Sequence, residues 1–521
     1  MIRRAASLAV LAVLAALMAA CGGGAASGGA DPASAVPAGA PFYFEVVVRP
    51  EGDLREDALA AAGKVLRTDD PSAKIREYLD KALRENADTK LDYDKDIEPW
   101  LGERAGVWLS DATDKEGEPV GSAIIAITDK DLAQQQVDEA RKKDGGATTR
   151  SYKDVSYEVD EDGVATGLTD DFVISGPEAQ FKQTVDALEG DKPLAESDRY
   201  TDGRDKLADD RLGHFYVDFQ RLLKLGFESE PNGAEQLRQF EQLVPLEKIG
   251  PVMGSFAANA DRLVLDVSVD FAGAKSLGPL GGLTTGASTP LLKELPGDTW
   301  GAFGTPDYGK SLSESLDSFA GAFGGAALEG QLRQQYGIDL DEDVLSWIGD
   351  VAFFIRGDSV ETLDGGAVIE VTDEAKAATG FGKLVGLLQS TANLDAKPIK
   401  IDGADAAFAV QDGTTPKEIV FARGNGKVVI AYGTDAATAA LTPADKLGDA
   451  ELFGQAEDAL EDVEPGFLLS MPAVIKLVDA IGEADADWDE AKPFLEAYDV
   501  VALGAEGGSG RAKMRIAAGL K

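Results

Sequence analysis

The stretch LDYDKDIEPWLGE, residues 91–103, returns without a gap as IDLDEDVLSWIGD at residues 338–350. Both copies carry three alternating Asp residues, an aliphatic residue, and then Trp, an aliphatic residue and Gly. Other segments recur around it in the same order. SAIIAITD from Ser122 matches GAVIEVTD from Gly366, DFVISGPEAQFKQTVDAL from Asp171 matches KVVIAYGTDAATAAL from Lys427, and LGHFYVDFQRLLKL from Leu212 matches PGFLLSMPAVIKLV from Pro465. The copies open alike, VPAGAPFYFEV at Val36 against LPGDTWGAFGT at Leu295, and close on the alternating runs RLVLDVSVDF and RAKMRIAAGL. Such self-similarity restricts the chain to two copies of one plan. It predicts a first repeat domain at 41–271, a Gly/Ser/Thr/Pro linker at 272–295 and a second repeat domain at 296–521.

Within each copy, strand and helix signals alternate irregularly. FYFEVVVRP reads as a strand. Asp70-Pro71 then offers an N-cap followed by proline at the first helical position, with Ile75, Tyr78, Leu79, Ala82 and Leu83 at helical spacing behind it. Alternating runs around Asp162-Gly163 and Asn425-Gly426 predict hairpins, because these residue pairs accept the backbone of a tight turn. Hairpins with intervening helices favour an α+β class: two homologous tandem domains, each a mainly antiparallel sheet with helices packed on it.

The N-terminal residues carry an export signal. Arg3 and Arg4 precede an apolar run from Ala5 to Ala20 that is too short for a membrane span. The run ends in Leu17-Met18-Ala19-Ala20-Cys21, which resembles the lipobox of bacterial lipoproteins. That resemblance implies a signal peptide at 1–20, cleavage, and acylation of Cys21. Cys21 is the sole cysteine, so no disulfide can form within the chain. Two or more acyl chains on one cysteine hold a protein firmly on a membrane. Residues 21–40 are small, with Asp31 the only charge, and read as the lipidated Cys and a flexible tether. The net charge of −42 repels phosphate backbones and excludes nucleic acid as a partner.

The lipobox, the VPAGAPFYFEVVVRPEGDL opening and the Asp-Ile-x-Pro-Trp-Leu-Gly block together resemble an uncharacterised family of bacterial, chiefly actinobacterial, lipoproteins catalogued as domain of unknown function 3352. The likeness covers nearly the whole chain after the signal. It implies the class and the membrane location and supplies no activity or site residues.

The repeated acidic block has the ligand alternation of a calcium loop. Asp92, Asp94 and Asp96, with Asp339, Asp341 and Asp343, are therefore candidate metal ligands, and calcium the candidate ion. An EF-hand turns sharply on a glycine at its sixth position, and Ile97 and Val344 stand there instead. A capped helix start accounts for the block better, with Asp94 or Asp96 as cap, Ile97, Trp100 and Leu101 as the buried face, and Gly102 as a left-handed stop. No cofactor is expected.

Three further motifs are weaker. Gly304 to Ser311 satisfies the spacing of a phosphate-binding P-loop, but Pro306 removes a backbone donor and Asp307 adds repulsion. Arg356-Gly357-Asp358 follows a strand-like run and reads as a turn. His214 is the only histidine, so a Ser-His-Asp site would have to use it, and its apolar surroundings read as core packing. Paired carboxylates are the one acid–base chemistry this composition runs easily, and 92 acidic residues do not single out a pair. The five Trp residues are not grouped as a sugar-stacking platform.

These features point to a lipid-anchored, extracytoplasmic and non-catalytic protein of the cell envelope. It would bind an envelope protein, a lipid or a small ligand. The alternative is a carboxylate-dependent hydrolase of envelope polymers.

Overall fold

The computed structural model describes residues 29–521, apart from 88–91, 114–116, 145–146, 191, 229–231, 244–245, 272–287, 324–329, 331–332, 392–395, 412–414, 483–485 and 509. Contacts divide the chain into two units. One runs to Phe240 and includes Ile249–Asp270; the other comprises Glu241–Lys248 and Phe271–Lys521. Cys21 and the lipobox lie outside the described residues.

In the first unit the strands are β1 (Phe42–Val47), β2 (Leu101–Thr113), β3 (Pro119–Ile127), β4 (Thr148–Tyr152), β5 (Val155–Val159), β6 (Val164–Leu168), β7 (Phe172–Pro177), β8 (Gly213–Val217), β9 (Ile249–Asn259) and β10 (Arg262–Phe271). Their spatial order is 4-5-6-7-3-2-1-8-9-10. In the second unit they are β11 (Gly301–Thr305), β12 (Ile348–Arg356), β13 (Asp364–Val371), β14 (Lys397–Pro398), β15 (Ala406–Val410), β16 (Ile419–Gly424), β17 (Lys427–Tyr432), β18 (Pro465–Ser470), β19 (Tyr498–Gly507) and β20 (Arg511–Leu520). The order there is 14-15-16-17-13-12-11-18-19-20, the same topology strand for strand. Registered pairs are antiparallel and helices pack on the sheets, so the fold class is α+β.

Local chemistry sets the turns. Asn425 and Gly426 both take positive φ, 52° and 71°, between β16 and β17, the backbone that matches the twist of a two-residue hairpin. Gly163 does the same at 84° between β5 and β6, where the Asp160 carboxylate accepts from the N–H groups of Asp162 and Val164. Alternation then sends one face of each strand inward. Tyr43, Trp108, Ile124, Phe172, Ile174 and Phe181 form the core of the first unit, with the Trp108 indole N–H donating to Thr184 Oγ1 at 3.1 Å. In the second unit a core forms around Trp347, Phe381 and Val385.

The tether and the linker are shorter than their composition suggests. Asp31 caps a 3-10 turn, Pro32–Ala35, and Ala33, Ala35 and Val36 are fully buried in the core of the first unit. The Leu194 N–H donates to Val36 O at 2.7 Å, and Pro37 bridges to Pro193. The second unit repeats the arrangement. Thr289 caps Pro290–Lys293, Leu292 and Leu295 are buried, the Leu447 N–H donates to Leu295 O at 2.8 Å, and Pro296 bridges to Lys446. Residues 31–40 and 289–295 are thus the first packed pieces of the two units. Small residues suggest slack, whereas alanines let the first segment lie close against the sheet and leucines anchor the second.

Candidate functional site

The two acidic blocks share one hydrogen-bond scheme. Asp92 is the N-cap of a one-turn π-helix, Tyr93–Ile97, and accepts from the Lys95 N–H at 3.2 Å; Asp96 reaches back to accept from the Asp92 N–H at 2.8 Å. In the second unit Asp339 accepts from the Glu342 N–H at 3.1 Å and Asp343 from the Asp339 N–H at 2.9 Å. The Trp100 indole donates to Asp96 O at 2.7 Å and the Trp347 indole to Asp343 O at 2.8 Å. The remaining carboxylates turn outward: Asp94 pairs with Arg76, and Asp341 accepts from Ser313. Among the described residues, no group of three or more His, Cys, Asp or Glu side chains is arranged to hold a metal ion.

This corrects the helix-start reading in three places. The caps are Asp92 and Asp339, with Asp96 and Asp343 as their reciprocal partners. Ile97 is only half-buried. Gly102 is no helix stop; it lies inside β2, where a Cβ would come within 2.8 Å of the Ala126 backbone. The glycine is needed for close strand approach.

The P-loop-like segment is closed to phosphate. The helix Tyr308–Phe323 begins there, but the Asp307 N–H donates to Asp350 Oδ1 at 2.9 Å and Thr289 Oγ1 donates to the other oxygen of the same carboxylate. A carboxylate already sits where an anion would bind. Arg356 is held by Asp298 and Asp364, and Asp358 by Lys476 and Thr362, so neither end of the Arg-Gly-Asp tripeptide is presented as a ligand.

His214 has partners the sequence did not disclose. It faces Glu45 across the β1–β8 pair, its Nδ1 3.9 Å from Glu45 Oε1, while its Nε2 lies 2.7 Å from the Tyr200 hydroxyl. The Tyr43 hydroxyl donates to Glu45 Oε2 at 2.6 Å, and Arg104 approaches Oε1 to 3.8 Å. Both Glu45 and His214 are buried. Burial and the Asp31 charge push the Glu45 carboxyl up to about 7, against the opposing pull of the Tyr43 hydrogen bond and of Arg104 and Arg211. Burial, helped by Arg211, Arg204 and Arg104, holds the His214 imidazole down at about 3. At 3.9 Å with a neutral ring, the two side chains form neither a hydrogen bond nor an ion pair.

The second unit builds the same place without ionisable counterparts of Tyr43, Glu45, His214 and Tyr200. Phe44 and Phe303 hold equivalent positions, paired with Phe215 and Phe467 on the next strand. One residue on, Glu45 corresponds to Gly304 and His214 to Gly466; one residue back, Tyr43 corresponds to Ala302. Tyr200, in the helix Asp198–Arg204, corresponds to Phe453. The ungapped match of Leu212 with Pro465 set His214 beside Phe467, and strand register shifts it by one. This fold therefore forms without the Tyr43–Glu45–His214–Tyr200 cluster. Neither half of the repeat pattern could reveal it, because the cluster is where the copies differ.

The second unit has its own distinguishing surface. Phe303, Phe353, Ala367 and Ile430 are successive cross-strand partners on β11, β12, β13 and β17. Phe303, Phe353 and Ile430 are 41%, 45% and 37% exposed, and Ile355 beside them 43%. The Phe303 and Phe353 rings stack with centroids 6.3 Å apart. The equivalent row of the first unit, Phe44, Val107, Ala123 and Ser175, is smaller, and Phe44 is covered by stacking on Phe256. No helix among the described residues is long and apolar enough to cross a membrane.

No curated protein matches the chain. Among solved structures, crystal form IV of TP0453 superposes with a TM-score of 0.25 at 11% identity, covering 46% of this chain and 80% of that one. Crystal form I gives 0.25 at 10%, covering 47% and 81%. These similarities are too slight to carry an inference. The family comparison is more extensive: residues 4–507 match the family described as protein of unknown function (DUF3352), and the chain belongs to that family.

Proposed function

We propose that the protein is a lipid-anchored, extracytoplasmic envelope protein that binds a partner and catalyses no reaction. The exposed row Phe303, Phe353 and Ile430 carries the binding part of this reading. Monomeric proteins seldom leave stacked aromatic side chains in water, and such patches mark interaction surfaces. The lipobox and the sole cysteine, Cys21, support the anchor. The non-catalytic part draws support from the one histidine, which is buried among Tyr200, Tyr43 and Glu45. The partner would be an envelope protein, a lipid or a small ligand, held without a cofactor and without nucleic acid.

Two measurements test this. A labelled fatty acid should be incorporated into the wild-type chain and not into Cys21→Ala, and equal labelling of the two, or none in either, would end the anchor reading. Crosslinking mass spectrometry on native membranes should return one recurrent partner whose yield falls in a Phe303→Ser/Phe353→Ser variant. Random neighbours, unchanged by the substitutions, would end the binding reading.

A further inference from the structure

The segment Asp31–Ala40 lies against the part of the sheet that holds Glu45. Gly106 is the β2 residue opposite Glu45, and a Cβ placed on it would meet the Tyr43 ring at 2.9 Å and Pro32 at 3.1 Å. Pro32 and the tyrosine bonded to Glu45 thus close over the same point. Ala33, Ala35 and Val36 continue in one core with Tyr43 and Tyr200. Asp31, at the head of the segment, contributes a second negative charge to the neighbourhood, tied to Arg204 at 3.7 Å.

We propose that Asp31–Ala40 is a strap whose docking is controlled by the protonation of Glu45: the neutral carboxyl keeps it seated, and ionisation releases it. The groups around Glu45 are Tyr43 on its own strand, Arg104 on β2, His214 on β8, Arg211 just before β8, Tyr200 and Arg204 on the helix Asp198–Arg204, and Asp31 on the strap. Arg104 at 3.8 Å is the nearest cation, too far for the close bidentate pairing that would stabilise a buried carboxylate. The charged form gains most by hydration, and lifting the strap exposes the Tyr43–Glu45 pair to water. The second unit serves as the comparison: its strap carries Thr289 for Asp31 and lies over Gly304 instead of a glutamate, and the carboxylate it touches, Asp350, accepts hydrogen bonds from Thr289 Oγ1 and the Asp307 N–H. The device is independent of whether Cys21 is lipidated.

Hydrogen exchange on the full chain reads the strap directly. Lifting it breaks the bonds from the Ala38 N–H to Lys192 O and from the Leu194 N–H to Val36 O; the corresponding bonds in the second unit are Gly297 N–H to Asp445 O and Leu447 N–H to Leu295 O. With a carboxyl near 4.5 when hydrated and about 7 when covered, opening of the first strap should rise about tenfold per pH unit between 5 and 7 relative to a Glu45→Gln variant, then level off. Taking the ratio to the variant removes the intrinsic pH dependence of exchange and any opposing effect of His214. The Gly297 and Leu447 amides should show no such rise. If the Gln variant does not fold, Asp31→Asn serves instead: losing the Asp31 charge lowers the covered Glu45 carboxyl, so the rise of the Ala38 and Leu194 amides should level off at lower pH and be smaller, relative to the second unit. A ratio that stays flat, or a matching rise in the second unit, would overturn the proposal.

Discussion

The Asp92 N–H donates to the Asp96 carboxylate at 2.8 Å while Asp92 caps the same turn through the Lys95 N–H, so each aspartate uses its charge on the other's backbone neighbourhood. The charge of the block is also met by side-chain cations, since the Lys95 ammonium lies 2.9 Å from Asp92 and Arg76 pairs with Asp94. The melting temperature should therefore be the same in millimolar calcium and in chelator. Asp92→Ala and Asp339→Ala should each cost about 1 kcal/mol of unit stability, the usual cost of losing an N-cap, read from urea unfolding. A calcium-dependent rise in melting temperature would restore the cation reading.

His214 makes stability depend on pH in a definite direction. Its folded-state value, about 3, lies below the ordinary 6.5, so the unfolded chain takes up the proton first. The histidine's contribution is full above pH 6.5 and is lost as pH falls towards 3. Compared with a His214→Gln variant, the wild-type chain should lose stability over that window, by on the order of 4 kcal/mol at the lower end. Chemical denaturation at half-unit pH intervals measures the difference. Glu45 acts the other way, its contribution being full below 4.5 and lost as pH rises through about 7.

The duplication was legible because a packed turn constrains many positions together: the two aspartates, the tryptophan and the glycine each meet a neighbour. The two hairpins were legible because their Gly and Asn residues must adopt a backbone that few others tolerate. Glu45 gave no such signal. In FYFEVVVRP a glutamate between aromatic and aliphatic residues looks like the solvent side of a strand, and only the packing of Pro32, Val36 and Tyr200 about Tyr43 shows that its face is covered. The strap is hidden in the sequence for a related reason: alanine and proline carry no periodic signal, and the residues it pairs with, Pro193 and Leu194, lie about 160 residues further along the chain.

The exposed row on the second unit predicts a separation of stability from binding. Phe303→Ser and Phe353→Ser remove rings that water already reaches over nearly half of their surface, so each should lower unfolding free energy by only about 1–2 kcal/mol, less than a core phenylalanine costs. The double variant should show a clear loss of fluorescence from an apolar surface dye such as anilinonaphthalene sulfonate. A dye signal unchanged by both substitutions would mean that this face is not the accessible apolar surface of the protein.

Truncation separates the tether from the strap. In a Cys21→Ala background, deleting residues 22–28, whose small uncharged composition reads as tether, should leave urea unfolding of both units unchanged. Extending the deletion to residue 40 removes Val36, which is fully buried, together with the carbonyl that receives the Leu194 N–H. The burial of Val36 alone is worth about 2 kcal/mol, and an orphaned amide adds about 1–3 kcal/mol. The first unit should therefore unfold at markedly lower urea while the second keeps its midpoint. Val36→Ala offers a milder version, costing about 1–2 kcal/mol in the first unit, and Leu295→Ala should cost about 2–5 kcal/mol in the second because it occupies the same place there. Equal effects of the short and long deletions would show that residues 29–40 are the slack tether their composition suggests.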